Sequence, residues 1–459
     1  MTYAEQLAKF VAGCSYDQLS ESAREQLRTR VLDAVGCAFG ALGAEPVGFL
    51  REHTQELGGA EISTLIGGGR TAPDRAAFYN GALVRYLDFN DSYLAPGETC
   101  HPSDNLAPVL AASEYAGGSG RDFLIALAVA YQVQCRLSDV APVRQEGFDH
   151  TVQGSYAVAA GVSKALGLDA KRIASAIAIS GTAFNALRVT RTGALSHWKG
   201  LAYPNTAFGC THAAFLAMRG ITGPLEVFEG NKGFIETIAG PFEIDWTREN
   251  LERVNRTILK KYNAEVHSQS AIEGVLELQR EHGFKTANIE QIEVDIFDVA
   301  YKIIGGGEEG DKRTVRTKEE ADHSLPYLIA VAVLDGNVMP EQYEAERIQR
   351  EDVQRLLRKV KIRPVEEFSR RFPLEMPCRI RVHIAGGQIF EREKRDYEGF
   401  LTRPTTWQAA VEKFGRLSES HVTAALRNEI VDAISRLESL QISELTRLLG
   451  AVGMDAKHA

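Results

Sequence analysis

Hydrophobic residues recur at helical spacing through most of residues 4–245. After Ser20, apolar side chains return every three or four positions, and Gly36 and Gly40 predict the end of that helix. Residues 122–131 are apolar on nearly every side, which is typical of a buried helix. Helices are also predicted over the small-residue runs at 155–166, 170–179 and 206–218. Because small residues let helices pack closely, this part of the chain predicts an all-α domain.

Another pattern begins in the second half of the chain. Hydrophobic and polar residues alternate in two segments, which predicts half-buried strands at 292–296 and 379–384. Gly386 and Gly387 follow the second strand and predict a hairpin turn. Helical patterns are interspersed with the strands, at 267–281 and 324–334. This mixture predicts a small α+β domain, after which the pattern becomes helical again.

Length and charge narrow the range of functions. A chain of 459 residues is too long for one hydrophobic core and predicts two domains. Its net charge of −9, without a long run of Lys or Arg, argues against a nucleic-acid or anionic-membrane partner. The six cysteines are scattered without a Cys-x-x-Cys pair, which argues against a zinc site and indicates reduced thiols. Since we find no signal-peptide pattern and no apolar run of ~20 residues, we expect a cytoplasmic protein without membrane spans.

The segment 87–106 places four carboxylates and a histidine among turn-forming residues. It is poorly suited to a core and suits a rim where acid–base groups are held in place. The candidate residues are Asp88, Asp91, His101 and Asp104. The acidic neighbours Glu98 and Asp104 would raise the pKa of His101 toward working pH. Alternatively, these residues only cap helices and form turns.

His150 is a second candidate, because it precedes the predicted helix at 155–166. A histidine at a helix N-terminus has its pKa lowered by the helix dipole, which favours a neutral base. The alternative is a histidine that only caps or packs.

A third candidate is the glycine-bearing loop between two apolar helices. It carries four cationic or potentially cationic side chains, those of Arg188, Arg191, His197 and Lys199. No acidic residue lies between Thr182 and Thr222 to neutralise them, so a bound carboxylate or phosphate is a natural partner. A solvated charged loop is the alternative.

The fourth candidate lies where the helical pattern meets the α+β pattern, a favoured place for small-ligand sites. It comprises Lys260, Lys261, Glu265 and His267, with a solvated charge run at a linker as the alternative. The remaining glycine-rich segments lack the spacing of phosphate-binding loops. The chain has no HExxH motif, and we predict neither a metal nor a cofactor.

Read together, these clusters resemble the MmgE/PrpD family, which includes 2-methylcitrate dehydratase, cis-aconitate decarboxylase and iminodisuccinate epimerase. The resemblance covers essentially the whole chain. Its segments are 32–37, 87–91, 101–106, 186–191 with Lys199, 263–269 and 321–327. Any one of them alone would not be specific.

The resemblance implies a mainly α protein with a large all-α helical domain and a smaller inserted α+β lid. On this sequence the helical domain would span 1–265 and 406–459, and the lid 266–405. The residues from Asp455 onward are expected to fray. The resemblance also implies a homodimer, an active site in the cleft between the domains, and no metal or cofactor.

The resemblance implies a set of site residues as well. The catalytic residues would be Asp91, His101, His150 and Lys199. The substrate-binding residues would be Arg188, Arg191, either Lys260 or Lys261, and His267.

The implied activity is a cofactor-independent lyase that dehydrates a small 2-hydroxy polycarboxylate of the 2-methylcitrate or citrate type. The alternatives are a decarboxylase of cis-aconitate, an epimerase of an amino-dicarboxylate, and a non-catalytic polycarboxylate-binding protein. The dehydratases read WGHPSDN where this chain has Glu98-Thr99-Cys100 before His101, and FPAEFH where it has Tyr262-Asn263 before Ala264. These departures favour retained chemistry on a different substrate.

Overall fold

The computed structural model describes residues 1–193 and 195–452. Helices account for 59% of the chain and strands for 10%, so the protein is mostly helical, with a small mixed sheet in its C-terminal region. The residues expected to fray, from Asp455 onward, lie outside the described ranges.

The helices, in chain order, are α1 (Tyr3–Gly13), α2 (Glu21–Gly40), α3 (Glu45–Leu57), α4 (Pro73–Tyr86), α5 (Leu106–Ala116), α6 (Gly120–Val140), α7 (Thr151–Ala165), α8 (Ala170–Ala183), α9 (Trp198–Met218), α10 (Gln269–His282), α11 (Asp298–Ile304), α12 (Lys318–Ala321), α13 (Leu325–Asp335), α14 (Ala345–Gln349), α15 (Glu351–Leu357), α16 (Glu366–Arg371), α17 (Trp407–Ser418), α18 (Ala424–Ser435) and α19 (Ile442–Gly450). The strands are β1 (Ser63–Thr64), β2 (Arg70–Thr71), β3 (Tyr93–Ala95), β4 (Glu98–Cys100), β5 (Ile289–Ile296), β6 (Val360–Pro364), β7 (Cys378–Ile384) and β8 (Gln388–Lys394).

The chain forms two compact units. Unit 1 comprises Met1–Thr190, Gly200–Thr257 and Thr406–Ala459, and unit 2 comprises Arg191–Lys199 and Ile258–Thr405. The predicted domains share the boundary at 405/406 with the two units. The other predicted boundary is at 265/266, after the start of unit 2 at Ile258, and the prediction assigns Lys199 to the helical domain. Two backbone hydrogen bonds explain the earlier start at Ile258: Leu259 N–H donates to Gly399 O (3.1 Å) and Asn263 N–H to Val338 O (2.9 Å).

Unit 1 is helical, and its core helices pack closely. At Gly161 of α7, an added Cβ would lie 2.8 Å from Ala130 Cβ and 2.9 Å from Val109 Cγ2. Such small residues therefore let α5, α6 and α7 approach one another, as their composition predicts. The predicted end of α2 at Gly40 is confirmed, whereas Gly36 does not end the helix, which continues through it. Gly36 faces the backbone of Phe414 instead, where an added Cβ would lie 3.2 Å from its Cα.

Helix α6 is long and apolar enough to cross a membrane by length and composition, although we expected no such segment. However, 83% of its most apolar window is buried inside the protein, as in a core helix. This agrees with the buried helix that its apolar pattern predicts.

Unit 2 contains a four-stranded sheet in the order β6-β5-β7-β8. β5 pairs parallel with β6 and antiparallel with β7, which forms an antiparallel hairpin with β8. Gly386 and Gly387, with φ of 98° and 84°, form the turn of that hairpin and confirm its prediction. The sequence pattern did not predict β6. Val360 is the only buried residue of this strand, so the strand has no buried face that would give an alternating pattern.

Candidate active site

In unit 1, a short hairpin brings Asp91 and His101 together. β3 and β4 pair antiparallel from Tyr93 opposite Cys100 to the turn at Gly97, whose φ is 79°. The residues that flank the two strands must therefore lie side by side, although they are ten positions apart. The turn-forming residues of this segment therefore shape the hairpin.

The Asp91 carboxyl group is completely buried and accepts hydrogen bonds from neutral donors. Its Oδ1 accepts from Ser103 N–H (3.0 Å) and Ser103 Oγ (2.7 Å), and its Oδ2 accepts from Tyr131 OH (2.8 Å). Burial raises the pKa of Asp91, and the hydrogen bonds from Ser103 and Tyr131 offset only part of that rise. Asp91 is therefore a carboxyl group that holds its proton more tightly than an exposed one.

His101 contacts the main chain of Asp91. Its Nδ1 lies 2.7 Å from Asp91 O and 3.2 Å from Ser92 Oγ. Because a carbonyl oxygen can only accept, Nδ1 carries a proton, and Nε2 is the nitrogen of the neutral ring that can accept one. Asp91 thus contacts the imidazole through its backbone carbonyl oxygen.

His150 lies at the N-cap of α7, where its position in the sequence places it. Its ring is 5.4 Å from that of His101 in an edge-on arrangement, and its Nδ1 is 3.2 Å from Asp149 Oδ1. Unit 1 thus brings Asp91, His101 and His150 into one buried cluster, which we call the acid–base cluster.

Asp88 and Asp104 support the loop that carries this cluster. The guanidinium group of Arg85 lies 2.6 Å from Asp88 and 3.6 Å from Asp104, and Asn90 Nδ2 donates to Asp104 at 2.8 Å. Asp88 has a φ of 53°, which is uncommon for a residue with a side chain. Its buried ion pair with Arg85 stabilises that conformation, so both aspartates serve the fold of the loop.

Glu98, the acidic neighbour of His101 in the sequence, is itself a titratable group of the site region. It is buried in β4, and its carboxylate accepts from the backbone N–H groups of Thr99, Val143 and Arg144, each at 3.2 Å. Burial raises the pKa of Glu98 to about 7, against the opposing charge of Arg188. Glu98 therefore titrates near neutral pH, although it is absent from the predicted site residues.

In unit 2, Lys199 is buried against Asp322, whose carboxylate lies 2.7 Å from its Nζ. His323 Nδ1 lies 2.6 Å from the same carboxylate oxygen. Asp322 and His323 belong to the segment 321–327 that carries the family resemblance, yet we had assigned neither to the site. Arg191 is also buried and belongs to unit 2, whereas Arg188 belongs to unit 1.

The structure separates the two neighbouring lysines. Lys260 is 2% exposed and acts electrostatically on Glu265, whereas the side chain of Lys261 is 37% exposed. Lys261 Nζ lies 2.6 Å from Glu398 and 3.2 Å from Glu273, both in unit 2. Lys261 is thus engaged in ion pairs at the surface, and Lys260 is the lysine in the buried cluster.

His267 is held by Glu265, with its Nδ1 2.7 Å from Glu265 Oε1. Its ring lies 5.5 Å from the rings of both Phe297 and Phe372, and its buried Nε2 has no hydrogen-bond partner among the described residues. Burial opposes ionisation of Glu265, but the charges of His267, His323 and Lys260 outweigh it and lower its pKa to about 2. We call the buried residues Lys199, Lys260, Glu265, His267, Asp322 and His323 the cation cluster.

Sequence reasoning missed Tyr131, Glu98, Asp322 and His323. Tyr131 gave a weak signal, because it ends an otherwise apolar run and a buried tyrosine hydroxyl needs a partner. Asp322 and His323 are adjacent in a recognisable motif. The pairing of Tyr131 with Asp91 and of Asp322 with Lys199 spans 40 and 123 residues, so local sequence could not reveal it.

Comparison with known proteins gives a consistent result. The MmgE/PrpD N-terminal domain matches residues 5–247, and the MmgE/PrpD C-terminal domain matches residues 262–438. Cis-aconitate decarboxylase of Mus musculus is 25% identical over 472 aligned residues, which cover 97% of this chain and 93% of the relative. The 2-methylcitrate dehydratase of Cupriavidus necator is 28% identical over 72% of this chain and 71% of the relative. That of Salmonella typhimurium is 26% identical over 75% and 74%.

Proposed function

Because this chain belongs to the MmgE/PrpD family, we propose that it is a lyase that dehydrates a small 2-hydroxy polycarboxylate of the 2-methylcitrate or citrate type. In this proposal Asp91, His101 and His150 transfer protons. The substrate carboxylates are bound by Arg188, Arg191, Lys199, Lys260 and His267. The reaction uses side chains alone, without a metal or cofactor.

The chemistry requires both kinds of group. A C–H bond next to a carboxylate breaks, its proton passes to a base, and its electron pair forms the new C=C bond. The hydroxyl group leaves as water after it receives a proton from an acid. Negative charge builds up on a carboxylate that is already charged, so fixed cations must stabilise it.

The observation that carries this proposal is the acid–base cluster. One hairpin places a carboxyl group of raised pKa, that of Asp91, beside His101, whose accepting nitrogen is set by its contact with Asp91 O. His150 adds a second imidazole 5.4 Å away. A binding protein has no need for three adjacent proton-transfer groups, so the cluster favours an enzyme.

The cation cluster supports a polycarboxylate as the substrate class. It buries Lys199 and Lys260 in unit 2, where Lys199 Nζ lies 2.7 Å from Asp322 and Lys260 acts electrostatically on Glu265. Of the two lysines that the sequence offered as substrate-binding alternatives, the proposal includes Lys260 and not Lys261, because Lys261 forms ion pairs with Glu398 and Glu273.

Decarboxylation of cis-aconitate is the second candidate. The match to mouse cis-aconitate decarboxylase covers 97% of the chain, whereas the two dehydratase matches cover 72% and 75%. Loss of CO₂ also leaves negative charge beside a carboxylate, so the same cations would serve.

A substrate panel separates these candidates. Purified protein is incubated with citrate, 2-methylcitrate and cis-aconitate, while the absorbance of the conjugated product and the release of CO₂ are recorded. We expect product from a hydroxy acid without CO₂, and activity that survives exhaustive chelation. Release of CO₂ from cis-aconitate would favour the second candidate. Activity restored only by iron, or neither turnover nor binding of any acid, would contradict the proposal.

The resemblance also predicts a homodimer. Light scattering coupled to size-exclusion chromatography measures the mass directly. A mass near twice the 50.4 kDa of the chain is expected, and a monomer at micromolar concentration would contradict it.

A further inference from the structure

Asp322 lies at a fixed point between two helices of unit 2. It follows α12, where its N–H donates to Lys318 O at 2.9 Å, and its C=O accepts from Glu265 N–H at 3.1 Å. Ser324, two residues later, caps the start of α13. Because the backbone is held on both sides, the direction of the Asp322 side chain is set by the fold.

Three side chains that can carry positive charge meet the Asp322 carboxylate. Its Oδ1 lies 2.7 Å from Lys199 Nζ and 2.6 Å from His323 Nδ1, and its Oδ2 lies 2.9 Å from Lys318 Nζ. Asp322 is 0% exposed. A buried carboxylate with this many donors is strongly stabilised in its charged form.

The charge of Asp322 decides whether its carboxylate can take part in proton transfer. Burial opposes its ionisation, but Lys199, Lys318 and His323 outweigh that effect and hold the pKa of Asp322 far below its usual range. Such a carboxylate neither gives nor takes a proton at neutral pH. Its effect on chemistry must therefore pass through the groups that it holds.

The geometry around Oδ1 also fixes the state of those groups. Lys199 Nζ and His323 Nδ1 are 3.0 Å apart, and both point to the same oxygen. Since a carboxylate oxygen only accepts, His323 carries a proton on Nδ1, and Nε2 is the nitrogen of the neutral ring that can accept another. Lys199 donates to the same oxygen as an ammonium group, so one carboxylate holds both side chains.

We propose that Asp322 is a positioning residue that keeps Lys199 as an ammonium group for a substrate carboxylate and orients His323 so that its Nε2 accepts a proton from the substrate. This inference rests on the proposed function for the identity of the substrate. It adds His323 to the proton-transfer residues and gives Lys199 the role of a fixed cation.

In the dehydration, each bond that breaks is matched by a bond that forms. The C–H bond next to the substrate carboxylate breaks, and its proton forms an N–H bond at His323 Nε2. The electron pair forms the C=C bond, and the hydroxyl group leaves as water with a proton from the acid of the proposed mechanism. Lys199 stabilises the charge that develops on the carboxylate. The imidazolium that results is stabilised by Asp322, as in other carboxylate–histidine pairs.

The first test needs no substrate. Nitrogen NMR of protein labelled with ¹⁵N-histidine distinguishes a protonated ring nitrogen from an unprotonated one, and His323→Gln identifies the signals of His323. We expect a protonated Nδ1 in the wild type and a loss of that signature in Asp322→Asn. Asp298→Asn is the matched control, because it removes an aspartate paired with Lys302 at the surface of unit 2. An Nδ1 signal that is unchanged in Asp322→Asn overturns the inference.

The second test is kinetic and covers a failure of Asp322→Asn to fold. In His323→Gln we expect kcat to fall at least ~100-fold with little change in KM, the scale of a removed general base. His323→Gly should regain part of its rate when imidazole is added. In Asp322→Asn, kcat should fall at least ~10-fold and KM should rise, because Lys199 and His323 are both released. Wild-type kcat in His323→Gln overturns the role of His323.

The two sets of results separate the inference from the proposed function. If the wild type turns over no polycarboxylate, the proposed function fails, while the NMR signals still decide whether Asp322 sets the state of His323. If the wild type is active and His323→Gln is equally active, the proposed function stands and this inference fails.

Discussion

Unit 1 and unit 2 both bury acidic side chains, but they surround them with different partners. In unit 1, Asp91 accepts from hydroxyl and backbone N–H groups, and Glu98 from backbone N–H groups. In unit 2, Glu265 and Asp322 are surrounded by lysine and histidine side chains. Burial alone would raise the pKa of each carboxyl group. In unit 1, hydrogen bonds and the charges of Arg30 and Arg188 compensate only part of that effect, whereas the lysine and histidine side chains of unit 2 exceed it.

The difference has a chemical consequence. A carboxyl group of raised pKa retains its proton to a higher pH, as burial causes at Asp91, and the pKa of Glu98 is raised to about 7. Carboxylates of lowered pKa, such as Glu265 and Asp322, are fixed negative charges that hold cations in place. We therefore expect the carboxyl groups of raised pKa in unit 1 to exchange protons, and those of lowered pKa in unit 2 to hold cations in place. Four predictions test this contrast.

Removal of His101 should affect activity most. In His101→Ala we expect the rate to fall at least ~100-fold, because a general acid or base is lost. Circular dichroism should show unchanged helical content, since the hairpin and its flanking helices do not depend on the ring. Near-normal turnover would remove His101 from the mechanism.

The variant Glu98→Gln should reveal the raised pKa of Glu98 through the pH dependence of stability. A neutral Glu98 stabilises the fold below pH 4.5, and this contribution is lost as the pH rises through about 7, because the unfolded chain ionises first. The shift corresponds to about 3 kcal/mol. Urea unfolding should therefore show the wild type losing stability relative to Glu98→Gln between pH 5 and pH 8. A difference that is constant with pH would contradict the raised pKa.

The variant Glu265→Gln in unit 2 should show the opposite dependence of stability on pH. The pKa of Glu265 is lowered to about 2, so its contribution is present above pH 4.5 and is lost as the pH falls through about 2. At pH 7 the variant should be less stable than the wild type by about 3 kcal/mol, and this gap should narrow in acid. The same urea experiment, extended to pH 3, measures it. A gap that widens in acid would refute the assignment.

Lys260→Met and Lys261→Met form a matched pair with the smallest expected effect. Loss of Lys260 should raise KM ~10-fold with a smaller change in kcat, because a charged contact to a substrate carboxylate is removed. Lys261→Met should leave KM within about a factor of two, since its ion pairs are at the surface. Equal effects in steady-state kinetics would show that the structure does not separate the two lysines.

Much of the fold could be predicted from local pattern. The helices α6, α7, α8, α10 and α13 and the hairpin of β7 and β8 follow from periodicity and turn residues. β6 did not, because an edge strand with one buried residue has no distinctive pattern. Likewise, the continuation of α2 through Gly36 depends on the close approach of Phe414, which lies almost 400 residues away.

The candidate site divides in the same way. Asp91, His101, His150 and Lys199 could be named from their sequence, since their residue types and the family motifs mark them as suited to proton transfer or anion binding. Their partners could not. The choice between Lys260 and Lys261 also needed the structure, because adjacent residues share a sequence context and differ only in the surroundings of their side chains.

The sequence by itself determined the family, the mainly helical architecture and the candidate residues for catalysis and binding, because these depend on residue type and short spacing. Tertiary structure alone decided the burial and the contacts of those residues. A pKa depends on burial and on charges within a few ångströms. The neighbours that contact these residues, such as Tyr131 at Asp91 and Asp322 at Lys199, arrive from distant parts of the chain only when it folds.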